Sequence, residues 1–152
     1  MKKLLTICLL IATTIYVNAQ NGSIPFAKIQ KLLDKTVGIK KVNLILGSEE
    51  KITKQLITET SYSLYFTGLG KYKSKWIWEC SEIPWDNGFI YFSGNSGSEK
   101  LTRCVFQFKT IMKKTQKTED RPDIYDVSSN EVEFYILKKD IIELENLINR
   151  KQ

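Results

Sequence analysis

No histidine occurs anywhere in the 152 residues, and that absence excludes more chemistry than any motif in the chain supplies. Without imidazole there is no Ser-His-Asp or Cys-His machinery, no ordinary general base at neutral pH and none of the usual zinc ligand sets. A cysteine nucleophile would lack the group that takes its proton, and Cys80 and Cys104 lie in apolar strand-like surroundings that keep a thiol protonated. Carboxylate chemistry survives. Glycoside cleavage needs two acids at a set separation; Glu79, Glu82 and Asp86 are of the right type, but their spacing marks no pair. The expectation is therefore no catalytic residue, no metal site and no cofactor, with a carboxylate-dependent hydrolase as an alternative.

Apolar runs long enough to span a membrane are also missing. Leu4 to Tyr16 ends at Asn18, short of the roughly 20 residues a spanning helix needs. Lys2 and Lys3 precede the run and Val17-Asn18-Ala19 follows it, so residues 1–19 are expected to be a signal peptide, with the mature chain starting at Gln20. Cys8 does not fit a lipoprotein signal, because Ile7 stands where a small residue is required. The protein is thus expected to be exported, to the periplasm or outside the cell, with no stable membrane insertion after cleavage. The 152 residues less those 19 leave 133, the size of one domain over 20–152.

One-sided charge is lacking too. Losing Lys2 and Lys3 lowers the formal +6 to +4, too mild to imply a nucleic-acid partner, and export argues against one. The distribution is bipolar: residues 28–75 hold ten lysines against four acids, and residues 118–152 hold nine acids against five bases. Solvated faces explain this without an electrostatic binding site.

Ile24-Pro25 after Ser23 reads as a capped helix start, and Phe26, Ile29, Leu32 and Leu33 recur at helical spacing. Ile39, Val42, Ile45 and Leu46 before Gly47 predict a second short helix, with a buried strand as the alternative. Residues 48–60 fit helix or strand. Alternation then predicts strands over Tyr62–Thr67, Lys71–Cys80, Phe89–Ser93, Leu101–Lys109 and Glu131–Leu137. Between the last two, residues 110–130 show little periodicity and read as a long loop. Its acids from Glu119 through Asp126 lack the glycine and terminal glutamate of an EF-hand. Asp140 and Glu143 form a capping box for a closing helix that carries Ile141, Leu144, Leu147 and Ile148. The class is α+β: N-terminal helical segments and a C-terminal helix on one face of a four- to five-stranded antiparallel sheet.

A simple meander sets Trp78 opposite Ile90 and Ile90 opposite Cys104, collecting Trp76, Trp78, Cys80, Ile90, Phe92, Cys104, Phe106 and Phe108 on one core face. It also separates Cys80 from Cys104 by a whole strand, about 10 Å or more, whereas a disulfide needs α-carbons within about 7 Å. Two buried free thiols follow from the meander; a Cys80–Cys104 disulfide, which export would favour, is its exclusive alternative. Trp85 falls instead on the turn Pro84-Trp85-Asp86-Asn87-Gly88. Flanked by Glu82, Asp86 and Asn87, it has the parts of a ligand- or partner-binding site, a stacking plate beside hydroxyl acceptors, unless it folds back over the sheet. The loop Gly94-Asn95-Ser96-Gly97-Ser98 reads as flexible rather than as a phosphate cradle, since no helix follows it. With no motif specific to a family, the functional expectation is a non-enzymatic protein that binds a protein partner. A glycan-binding module built on the Trp85 turn is the alternative.

Overall fold

A computed structural model describes residues 24–43, 47–69, 73–85, 88–94, 96–118 and 121–148. The expected signal peptide 1–19, Ser23, Asp86, Asn87 and Asn95 lie outside the described residues, as do Glu119 and Asp120 of the acidic stretch.

Helix α1 (Phe26–Asp34) buries Ile29, Leu32 and Leu33, the stripe its spacing predicts. Pro25 occupies its N-cap position with no side-chain cap. The expected second helix is instead a strand, β1 (Lys40–Val42), paired antiparallel with β2 (Glu49–Ile57). Pairing overrides helical spacing here. The edge of β2 takes the Gly38 N–H on the Ile52 carbonyl (2.8 Å), while the Ile52 N–H donates to the Ile39 carbonyl (3.1 Å). Strands β3 (Tyr62–Gly68), β4 (Lys75–Cys80), β5 (Gly88–Ser93), β6 (Leu101–Thr118) and β7 (Arg121–Leu137) follow. A 3-10 turn (Lys138–Asp140) then leads into α2 (Ile141–Ile148).

The α+β class holds, with a helix near each end and antiparallel sheet between. All seven strands join, as a five-stranded part (β1-β2-β3-β4-β6) and a three-stranded part (β5-β6-β7) that share β6. The meander expectation fails between β4 and β5, which are not neighbours. Strand β6 runs far past Lys109 and returns as β7, so residues 110–130 are mostly ribbon rather than loop. Its far half pairs with β4 (Cys80 opposite Lys114, Trp76 opposite Thr118), and its near half pairs with β5 (Phe92 opposite Cys104, Ile90 opposite Phe106). A register break between Gln107 and Met112 of the β6–β7 ladder falls between the two halves.

The residues expected in the core are buried or half-buried, but the changed register sets Trp78 and Cys80 beside Arg103 around one cavity, so β4 and the near half of β6 do not present the single common face that a meander predicts. Cys80, Ile90, Cys104, Phe106 and Phe108 are buried, and Trp76, Trp78 and Phe92 are half-buried against them. Both cysteines are free thiols; Cys80 faces Lys114, ten residues along β6 from Cys104. Burial raises both thiol pKa values, well above the ordinary range for Cys104, while the Lys114 charge opposes the rise at Cys80.

Side chains cover two strand edges that the ladder leaves open. Along β2, Gln30 of α1 accepts from the Ile57 N–H (2.9 Å) and donates to the Gln55 carbonyl (2.7 Å). Along β7, the Gln55 side chain accepts from the Tyr135 N–H (2.9 Å) and donates to the Tyr135 carbonyl (2.8 Å). The sheet is thereby rolled, with β2 held against β7 and α1 along the seam. A bulge at Thr53 makes this contact. The register shifts between Ile52 and Lys54, so burial passes from Glu50 and Ile52 to Gln55 and Ile57. At the far end, Asp140 is drawn into an ion pair with Lys35 (3.2 Å), which also approaches Glu143 (3.7 Å), tying the end of α1 to the start of α2. Among the described residues no helix is long and apolar enough to cross a membrane.

Candidate functional site

The turn that carries Trp85 points its indole inward. Trp85 is 5 % exposed, its Nε1–H donates to the Thr58 carbonyl (3.0 Å), and its ring meets Phe106 edge-on at 5.3 Å, with Phe108 at 5.8 Å and Phe26 at 5.9 Å. An indole so enclosed offers no stacking surface to a ligand; of the two readings of this turn, the one in which Trp85 folds back over the sheet holds. The cause is aromatic packing: a short turn after β4 drops Trp85 onto rings from α1 and β6. Glu82 is exposed, at φ 57°. Glu79 sits across β4 from Trp78 and Cys80.

The inner face of the rolled sheet instead encloses a cavity of about 350 Å3, within the range of small-molecule sites. Its apolar wall comes from Tyr62, Leu64 and Phe66 of β3, Trp78 and Cys80 of β4, and Val132 of β7. Its ionic groups are Lys41 (β1), Glu50 (β2), Arg103 and Lys114 (β6) and Glu133 (β7), with Tyr135 beside them. The pairing of these charges is specific. Lys41 Nζ lies 2.6 Å from Glu50 Oε2, both side chains being buried, and Asn43 Nδ2 donates to Glu50 Oε1 at 2.8 Å. Lys41 also lies over the rings of Phe66 (5.5 Å) and Tyr135 (5.2 Å). Arg103 Nη2 lies 2.6 Å from Glu133 Oε1. Lys114 stands 4.7 Å above the centre of the Trp78 ring and, among the described residues, forms no ion pair.

The two chamber carboxylates are thus engaged while one cation is not. Burial pushes the Glu133 carboxyl up, but the hydrogen bond and charge of Arg103, helped by Lys114 and Lys41, outweigh it and hold the pKa below the usual carboxylate range. A carboxylate held ionised in this way is a poor proton donor. Burial, with Glu133 nearby, pushes the Tyr135 phenol well above its ordinary pKa, so it is protonated and able to donate at neutral pH. Among the described residues no cluster of acids and thiols has the form of a metal site.

The sequence carries a faint sign of one of these residues. Arg103 is the one charge between Leu101 and Phe108, whereas Glu133 alternates with Glu131 and reads as an ordinary solvated strand face. Lys114 carries no such sign, since Lys113 and Lys117 flank it in a ribbon that reads as loop. Comparison of the chain with protein-family models, with curated proteins and with solved structures finds no match.

Proposed function

We infer that the protein is an exported, non-enzymatic binding protein whose ligand seat is the chamber inside the rolled sheet. One observation carries this reading: a cavity of about 350 Å3 walled by aromatic and aliphatic side chains, with convergent charged groups from four strands. Such a combination of apolar wall and few placed polar groups is how small-molecule sites are built. A core meant only for stability would be filled, because an unfilled cavity costs stability in proportion to its volume. The lack of histidine and the engagement of both chamber carboxylates support binding without chemistry. Export rests on the pattern of residues 1–19.

The test is to fill the seat. Leu64→Trp places a bulky ring in the cavity, and a ligand panel read by calorimetry and by a rise in Tm should lose its binding members in this variant. Binding that persists undiminished in folded Leu64→Trp protein would show that the chamber is not the seat. Export is checked separately, by N-terminal sequencing of protein recovered from the periplasm or medium, where Gln20 is the expected first residue.

A further inference from the structure

The chamber's charges go further than the existence of a site and define the class of ligand. We propose that it takes a small amphipathic monoanion, a carboxylate on an apolar body, with the anionic head at Lys114 and the body against Trp78, Phe66 and Leu64. This rests on the reading of the chamber as the ligand seat.

Counting charges by partner gives the sign. Among the described residues, three cations and two carboxylates line the cavity. Lys41 is matched with Glu50 and Arg103 with Glu133, each at 2.6 Å. Among the described residues Lys114 forms no ion pair: it lies over the face of Trp78 and reaches Glu133 only through its charge, and a cation over an indole still has its donors available. A cationic ligand would bring a fourth positive charge to this wall. Both carboxylates already face a cation of their own, Glu50 with Lys41 and Glu133 with Arg103, so neither calls for a cationic ligand. An anion completes the set: it pairs the unmatched ammonium, and the Tyr135 phenol offers a further donor among the residues lining the cavity.

Size and wall give the rest. A water occupies about 30 Å3 of liquid, so the cavity holds on the order of a dozen heavy atoms. The wall beyond the charged groups is Leu64, Phe66, Trp78 and Val132, which favours hydrocarbon or aryl over a polyanion.

Decanoate, with its neutral isostere decanamide and its cationic homologue decylamine, separates the possibilities by calorimetry on the mature chain. Decanoate is expected to bind at least tenfold more tightly than decanamide, since a hydrogen bond to a charged group is worth about 1.5–3 kcal/mol and each 1.4 kcal/mol is a factor of ten. Decylamine is expected not to bind. Lys114→Met should weaken decanoate tenfold or more and leave decanamide within twofold, while Lys114→Arg should restore most of the preference. Lys114→Gln gives the same comparison should the methionine variant not fold. Equal affinity for decanoate and decanamide, or full decanoate affinity in folded Lys114→Met, would overturn the anion assignment while leaving the chamber standing. Failure of all three probes, or decanoate binding that survives Leu64→Trp, would overturn both.

Discussion

Two polar clusters lie inside the same rolled sheet, and they differ in how completely their hydrogen-bonding capacity is used. At the seam, Gln55 is 0 % exposed, and its amide is saturated. Nε2 donates to Thr36 Oγ1 (2.6 Å) and to the Tyr135 carbonyl (2.8 Å), while Oε1 accepts from the Tyr62 hydroxyl (2.8 Å) and the Tyr135 N–H (2.9 Å). Two donors and two acceptor positions are all that an amide has. In the chamber, by contrast, Lys114 and Tyr135 line the cavity, and among the described residues Lys114 forms no ion pair. A cluster whose partners are all internal is spent on the fold; one whose partners are incomplete beside a cavity is available to a ligand. Substitutions at the seam should therefore be read in stability, and substitutions in the chamber in binding.

The largest expected effect is at the seam. Gln55→Leu removes both donors and both acceptors at once, leaving the Tyr135 N–H and carbonyl, the Tyr62 hydroxyl and Thr36 Oγ1 without this partner. Each buried group so orphaned costs about 1–3 kcal/mol, so a loss of about 3 kcal/mol or more is expected in urea unfolding. Lys114→Met in the chamber should change stability by no more than about 0.5 kcal/mol, in the range of surface substitutions. A mild Gln55→Leu, below about 1 kcal/mol, would mean that the seam is not what holds β2 to β7, and the contrast between the clusters would collapse.

An intermediate effect follows from the buried acids of the core. The folded pKa values of Cys80, Cys104 and Tyr62 are all raised, in each case first by burial. A raised folded value means that the stability these groups contribute is whole below their unfolded pKa and is lost as pH climbs through the folded one. Unfolding free energy is expected to fall above about pH 8.5, where unfolded thiols begin to ionise, with the tyrosine adding to the loss above about pH 10. Cys104→Ser should remove part of that alkaline slope. Thiol titration in denaturant without reductant should find two reactive groups per mature chain; finding none would restore the disulfide that the free thiols exclude.

Much of the fold could be read from alternation, and what could not has identifiable causes. Tyr62 to Phe66 and Glu131 to Leu137 are half-buried strands, and their period of two is clean. Residues 48–60 were ambiguous because the bulge at Thr53 breaks the period halfway, so that Ile52 and Leu56 mimic a helical pair while Gln55 is the residue that turns inward. Residues 110–130 concealed a ribbon because strands with polar residues on both faces show no alternation. Missing that ribbon forced β4 against β5 and hid the far half of β6, which brings Lys114 over Trp78. Trp85 stands out by residue type, while the chamber's lysines, arginine and glutamates are ordinary in sequence and meet only where four strands converge.

The smallest effect sharpens the same contrast at the turn that residue type had favoured. Glu82 is exposed and adopts φ 57°, a left-handed conformation that costs an L-residue about 1 kcal/mol. Glycine adopts it freely but loses more entropy on folding. Glu82→Gly is therefore expected to raise stability by about 0.5 kcal/mol in urea unfolding and to leave decanoate affinity unchanged. A gain in stability with no change in binding would mark the Trp85 turn as part of the framework. A loss of affinity there, with stability intact, would return the turn to the binding surface and break the division of labour between a saturated seam and an unsaturated chamber.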